Sequence, residues 1–418
     1  MKIGQMDSIE APDRIEPARI DAPEGELLDL VADLSARAEV LGRSLHPRTA
    51  ANLAQLVRIM NTCYSNLIEG HNTRPREIEQ ALAGITDADD ARRNLQLEAV
   101  AHVRVQQAID AHAGDGTLGD PASPDFIRWL HRAFYEGAGE PMLTIGEGVR
   151  AFRMEPGAWR SDAAHDVSVG RHVPPSSAHV ATFMAYFYRR FAFDPAPDAR
   201  LLAVGEGRAK RILAMASAHH RFNYIHPFPD GNGRVSRLMS HAMAHRAGIG
   251  AHGLWSISRG LARGLDVGPL GRLEYRRHMA QADEPRQGDR DGRGNLSLRG
   301  LTLFATWFLR VCLDQVDYMA GLFDLDTLAG RLSRYVAHSE TLAPEAARLL
   351  HEALIRGEFA RGEASRITGL PETSARRVLR GLTGEGLLAS DTEKGPVSLR
   401  FPAHTLETLF PRLYPEMG

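Results

Sequence analysis

Ile225-His226-Pro227-Phe228-Pro229-Asp230-Gly231-Asn232-Gly233-Arg234-Val235-Ser236-Arg237 is the stretch from which the rest of the chain is read. A helix that ends on a histidine is followed by a Gly-Asn-Gly turn and then by a new helix. Several backbone N–H groups therefore converge where the new helix dipole favours an anion. Gly231 and Gly233 permit positive φ and close backbone approach. Arg234 and Arg237, three apart, share a face of the new helix above that anion pocket. Asp230 is a hard oxygen donor that suits Mg2+ beside phosphates, and His226 can serve as a general base at neutral pH. Taken singly these are a helix-end histidine, a turn and a solvated helix face; their joint occurrence reads as a base, a metal ligand and an anion cradle.

Outward from this stretch, apolar residues recur at three- and four-residue spacings over most of the chain, which predicts a mainly α protein. Helices are expected over about 26–41 and over about 49–69, where Leu53, Leu56, Met60, Cys63 and Leu67 form one stripe that Gly70 ends. Thr73 and Pro75 open the next helix as an N-cap and an early Pro, and 110–124 is a Gly/Asp/Pro-rich loop. Residues 166–173 alternate and predict a short hairpin. Helices resume at about 177–191, 206–224, from 233 onward and at 301–323. Residues 1–25 are polar and Pro-bearing and read as a poorly ordered lead.

A chain of 418 residues predicts two or three domains. With 43% apolar and 24% charged residues, it fits neither a disordered nor a fibrous protein. Lys plus Arg number 50 against 52 Asp plus Glu, a net charge of −2, so no global field captures nucleic acid or an anionic membrane. Cys63 and Cys312 are too few for a disulfide framework or a thiolate metal site. No leader-like start and no stretch of 18 uncharged apolar residues is present, so the expected location is cytoplasmic, without a membrane span.

The 226–237 segment resembles the signature of the Fic family, HxFx(D/E)GNGRxxR, at every specified position. The resemblance implies a Fic-fold helical bundle that transfers AMP from ATP to a Ser, Thr or Tyr hydroxyl of a target protein, itself included, with release of pyrophosphate. By that resemblance His226 is the base and Asp230 holds Mg2+. Gly231, Asn232, Gly233 and Arg234 bind phosphates, Phe228 enters the core, and Arg237 meets the γ-phosphate. Kinase-like relatives carry Lys at the second Gly of the turn; Gly233 favours AMP transfer.

Ser65-Asn66-Leu67-Ile68-Glu69-Gly70 fits (S/T)xxxE(G/N), a motif that resembles the family's inhibitory helix. Glu69 ends its helix at the negative dipole end, unfavourable by roughly 0.3–1 kcal/mol, so something should compensate. The resemblance implies a pairing of Glu69 with Arg237 that blocks the γ-phosphate, with Ser65 hydrogen-bonding in the site, and also an alternative activity in which Glu69 positions a water to remove AMP. Residues 157–160 with 169–175 resemble the family's flap, whose strand edge at Val169, Gly170, Arg171 and His172 would register a target segment. Tyr275 lies where relatives place an aromatic near adenine.

At the C-terminal end, Glu363 to Thr368, the turn Gly369-Leu370-Pro371 and Glu372 to Leu382 read as helix-turn-helix, with 384–401 as a wing, resembling a winged helix. Thr373, Ser374, Arg376, Arg377 and Arg380 are the candidate DNA contacts. Residues 340–418 hold ten Lys/Arg against eleven Asp/Glu, a poor balance for tight nucleic-acid binding. A DNA-binding regulator that uses the nucleotide site as a sensor is the competing reading; a protein-interaction or homodimer role is the plainer one. The expected division is a flexible lead (1–25), N-terminal helices (26–120) with the inhibitory helix at about 49–70, a catalytic core (121–335) and a winged helix-turn-helix (340–418).

Overall fold

The computed structural model describes residues 10–148, 151–195, 197, 200–265 and 271–414. The chain runs through α1 (Glu26–Arg43), α2 (Pro47–Glu69), α3 (Pro75–Leu82), α4 (Asp90–Gly114), α5 (Pro124–Phe134) and the single turn α6 (Glu140–Leu143). Two-residue strands β1 (Thr144–Ile145) and β2 (Phe152–Arg153) pair antiparallel, Thr144 opposite Arg153. Then follow α7 (Val180–Phe191), α8 (Arg208–Ile225), α9 (Asn232–Arg246), α10 (Ile257–Arg263), α11 (Gly271–Ala282), α12 (Leu298–Leu322) and α13 (Leu325–His338). The C-terminal part comprises α14 (Ala346–Arg356), β3 (Glu358–Phe359), α15 (Ala364–Thr368), α16 (Glu372–Gly384), β4 (Leu388–Ala389), β5 (Val397–Leu399) and the one-turn α17 (Leu406–Leu409).

Helix ends follow local chemistry. Pro47 begins α2 behind His46, whose Nδ1 accepts from the Arg48 N–H at 3.2 Å, and Gly70 ends it at φ 92. Ser123 and Ser297 cap α5 and α12 by accepting from the Phe126 and Gly300 N–H groups. At α3 the cap is Arg74, one residue later than Thr73: Pro75 takes the first helical position, and the Arg74 N–H donates to Glu77 Oε2 at 3.0 Å. Thr73 instead accepts from Asn66 Nδ2.

At the centre α8 and α9 pack against each other, with α12 and α1 beyond α8, and α4, α10 and α2 against α9. Because neighbours surround it, α8 buries even His219, His220 and Arg221. The loop joining these two helices, residues 226–231, is thereby held between two deeply buried helices.

The structure corrects two expectations. Residues 10–25 are not a loose lead: Ile15 and Ala18 are fully buried, the Glu16 carbonyl accepts from the Asn295 and Leu296 N–H groups, and Arg221 donates to the Pro17 carbonyl at 2.9 Å. The few apolar residues among the prolines suffice to anchor the segment; residues 1–9 lie outside the described residues. The alternating stretch 166–173 forms no extended hairpin, only the isolated bridge Val169↔His172 around Gly170 (φ 62). Val169 and Val173 are exposed, so the alternation has no core face to bury.

In the C-terminal part the sheet order is β3-β5-β4, antiparallel, with Phe359 opposite Val397 and Leu388 opposite Leu399. Its apolar core is continuous with that of the helical body, and α14 leans on the start of α2, where the Thr49 hydroxyl donates to the Leu354 carbonyl at 2.9 Å. Among the described residues no helix is long and apolar enough to cross a membrane.

Candidate active site

His226 caps the C-terminus of α8 in the left-handed region, φ 51 and ψ 62, a conformation costing a non-glycine residue about 1–2 kcal/mol. Arg160 holds it there. Its backbone N–H donates to the Pro227 carbonyl at 2.9 Å, its Nε to the His226 carbonyl at 2.7 Å and its Nη2 to the Ile225 carbonyl at 3.1 Å. Burial, and next the Arg160 guanidinium, push the imidazole down to about 4, so His226 is neutral at physiological pH. Its Nδ1 is buried, which leaves Nε2 as the ring nitrogen within reach of a substrate hydroxyl.

Beyond it the loop folds on itself. Asn232 Oδ1 accepts from the Phe228 N–H at 2.9 Å while its Nδ2 donates to the Phe228 carbonyl at 2.8 Å. Its amide is therefore spent on shaping the loop. Phe228 is fully buried and stacks on His131 at 3.9 Å between centroids. Gly231 (φ 78) is the N-cap of α9, and a Cβ there would stand 2.9 Å from the Tyr135 hydroxyl. That hydroxyl donates to Asp230 Oδ2 at 2.8 Å, and Arg234 Nη2 approaches the same oxygen at 3.2 Å. Burial would raise the Asp230 carboxyl, but Arg234 and the Tyr135 bond outweigh it and hold it below the usual range. Oδ1 has no side-chain partner among the described residues, and the side chain is 46% exposed, so one charged oxygen remains open to a cation.

Arg234 also pairs with the buried Glu98 of α4 and lies over the Phe134 ring. Arg237 is buried, and its Nη2 donates to Glu69 Oε1 at 2.6 Å and its Nε to Ser65 Oγ at 3.0 Å. Burial works against ionised Glu69, yet Arg237 prevails and lowers its pKa. Glu69 comes so close to the loop that a Cβ on Gly233 would lie 2.6 Å from its Oε1. The N-terminus of α9, two guanidinium groups and a neutral imidazole thus surround one position, with a carboxylate from α2 set on the deeper arginine.

The structure brings together Ser65, Glu69, His226, Asp230, Gly231, Asn232, Gly233, Arg234 and Arg237. Tyr275 is buried, its hydroxyl lies 2.8 Å from His219 Nε2 and its ring packs beside Trp307, within reach of the charges of Arg237 and Glu69. At the flap position, His172 Nε2 lies 2.7 Å from the carbonyl of Tyr224, two residues before His226, and exposed Val169, Gly170 and Arg171 form the tip. On α16, Thr373, Arg376, Arg377 and Arg380 are exposed and Ser374 half-buried; Arg376 is paired with Glu372. The sequence placed Arg160 in the flap, and its role of holding the end of α8 is seen only in the structure; Tyr135 and Glu98 were not singled out, although Glu98 left a trace as a charge among Ala99 and His102 on the buried side of α4.

A profile described as the Fic/DOC family matches residues 121–244. Among curated proteins, protein adenylyltransferase Fic of Aedes aegypti is 35% identical over 88 residues, covering 20% of this chain and 14% of that protein. Its Drosophila melanogaster namesake is 34% identical over 84 residues, 20% of this chain and 15% of the relative. The chain thus spans a small part of the length of these relatives. Among solved structures, a Fic family protein from Desulfovibrio desulfuricans superimposes with a TM-score of 0.50 at 16% identity, over 91% of this chain and 98% of that one. A Fic domain containing signaling protein from Bacteroides thetaiotaomicron gives 0.50 at 19% identity, over 69% and 95%. Those two likenesses speak for the fold, and the profile speaks for the loop and helices around His226: this chain carries a Fic/DOC family domain at residues 121–244.

Proposed function

We propose that the chain is a self-inhibited protein adenylyltransferase that transfers AMP from ATP to a hydroxyl of a target protein, itself included. The observation that carries the reading is a neutral His226 beside the N-terminus of α9, with Glu69 on Arg237. His226 Nε2 takes the proton of the target hydroxyl as its oxygen bonds to the α-phosphorus; the bond to the bridging oxygen breaks and pyrophosphate leaves. Arg234 and the first-turn N–H groups of α9 neutralise the phosphates, and Arg237 receives the γ-phosphate once Glu69 moves aside. Gly70 in the left-handed region and the part-exposed Glu69 side chain give that motion a hinge and a path. Asp230, charged and with Oδ1 open, would hold Mg2+, which supplies charge neutralisation on the phosphates. The exposed edge at 169–172 suits main-chain pairing with a target segment.

Order and pairing of α14–α16 with β3–β5 support a winged helix in the C-terminal part, and the exposed Thr373, Arg376, Arg377 and Arg380 would be its nucleic-acid face. A gel shift against duplex DNA at rising salt tests that role; retention unchanged by Arg377→Ala/Arg380→Ala would remove it.

The enzyme reading is tested with α-labelled ATP, Mg2+ and a lysate, comparing parent, Glu69→Gly and Glu69→Gly/His226→Ala. Label on protein should rise in the single variant and vanish in the double. No label in any variant, despite measured ATP binding, would shift the assignment to nucleotide sensing. Loss of AMP from a pre-modified protein only when Glu69 is present would shift it to AMP removal.

A further inference from the structure

On the far part of α9, nine and thirteen residues beyond Asn232, His241 and His245 stand one turn apart and face Asp110 of α4. At 1.5 Å rise per residue this is about 13 Å or more from the phosphate loop, so the group is separate from Asp230. His241 Nε2 lies 2.6 Å and His245 Nε2 3.0 Å from the same oxygen, Asp110 Oδ1, and the two nitrogens are 3.3 Å apart. All three side chains are at least 89% buried, at 7%, 9% and 11% exposure.

Both ring N–H groups can donate to Asp110 Oδ1, and the same three atoms offer one lone pair each to a cation when the imidazoles carry their protons on Nδ1. Tetrahedral zinc with bonds of about 2.0–2.1 Å sets its ligand atoms about 3.3 Å apart, the separation of the two nitrogens, so the carboxylate oxygen would draw back slightly on binding. The surroundings are built to hold the three donors. Arg58 Nη1 donates to the other oxygen, Asp110 Oδ2, at 2.7 Å, and is itself steadied by Gln55, so Oδ1 is the oxygen left for a ligand. Gly253 lets the backbone approach Asp110, where a Cβ would stand 2.9 Å from Oδ2, and a Cβ on Gly250 would stand 2.4 Å from His245 Nδ1. A cavity of about 700 Å3 reaches Asp110 and His245, with His252 in its wall, and admits water as the fourth ligand.

We propose that Asp110, His241 and His245 bind a divalent transition-metal ion, zinc by donor set, that clamps α4 to α9. These are the helices that supply Glu98 and the Arg234 and Arg237 face, so the ion would fix the floor of the phosphate site from behind. Soft thiolates are absent from the group and two imidazoles with one carboxylate suit zinc better than Mg2+ or Ca2+.

The test uses the full chain, purified without a polyhistidine tag, and elemental analysis for metals. One zinc per chain is expected, retained in Asp230→Ala and lost in His241→Ala/His245→Ala. Arg58→Ala, which touches the ion only through Asp110, should keep the site but weaken zinc affinity about 10–100-fold in a chelator competition. Should the double His variant fail to fold, the stripped parent protein is titrated with Co2+, where an intense tetrahedral visible band, displaced by Zn2+, is the expected result. Absence of both bound metal and a Co2+ band overturns the proposal, as does zinc that persists in a folded double variant.

Discussion

Arg160 and His226 act as a pair: one supplies a buried cation and three backbone tethers, the other a strained backbone and a base that stays neutral. In NMR titration of the free protein, the His226 imidazole is expected to change state near 4, with a midpoint near 6.5 contradicting the account. Since the folded value is depressed, the linked stability is fully present above about 6.5 and is lost as pH falls from there toward 4. Arg160→Ala removes charged hydrogen bonds to the end of α8 and should cost at least about 2 kcal/mol in denaturant unfolding while moving the His226 midpoint upward. Gly231→Ala should lower stability by about 1 kcal/mol or more, through positive φ and the approach to Tyr135. The site from His226 to Arg237 was legible because one short contiguous stretch carries it. The roles of Arg160, Tyr135 and Glu98 were not, because they arrive from the segment before α7, from just past α5 and from α4, and nothing in the sequence says which helix faces which.

Among the elements, α2 carries the contact on which the proposed inhibition rests. Ser65 and Glu69, one turn apart, both engage Arg237, so each should contribute separately to restraint. Ser65→Ala removes one hydrogen bond of about 1 kcal/mol and should raise self-labelling about 5-fold, less than Glu69→Gly does; an unchanged rate would mean that Ser65 only packs. The 49–69 stripe and the Gly70 stop announced this helix, and dipole strain at Glu69 announced a partner. The stretch 166–173 shows the limit of such patterns: alternation predicts a strand only when one face is buried, and here Val169 and Val173 face outward. Residues 10–25 show the converse, since Ile15, Ala18 and Ile20 anchor a segment too short and too Pro-rich to display a period.

For the whole molecule, one apolar core runs from Ile15 to Leu413 and includes α14, α16 and β5 together with Leu53 and Leu56 of α2. The order of elements after α13 was legible from turn residues and periodicity; their seat on the start of α2 was not, because it depends on Thr49 meeting Leu354 across the fold. Calorimetry should accordingly give one cooperative unfolding transition, and two well-separated transitions would argue that the C-terminal part is independent. The central claim is adenylyl transfer by His226 under the control of Glu69. It is tested most directly by incubating Glu69→Gly with ATP labelled at the α- or the γ-phosphate and comparing label retained on protein. The account predicts α-label retained, γ-label lost as pyrophosphate, and neither retained once His226→Ala is added. Retention of γ-label, or α-label undiminished by His226→Ala, would contradict it.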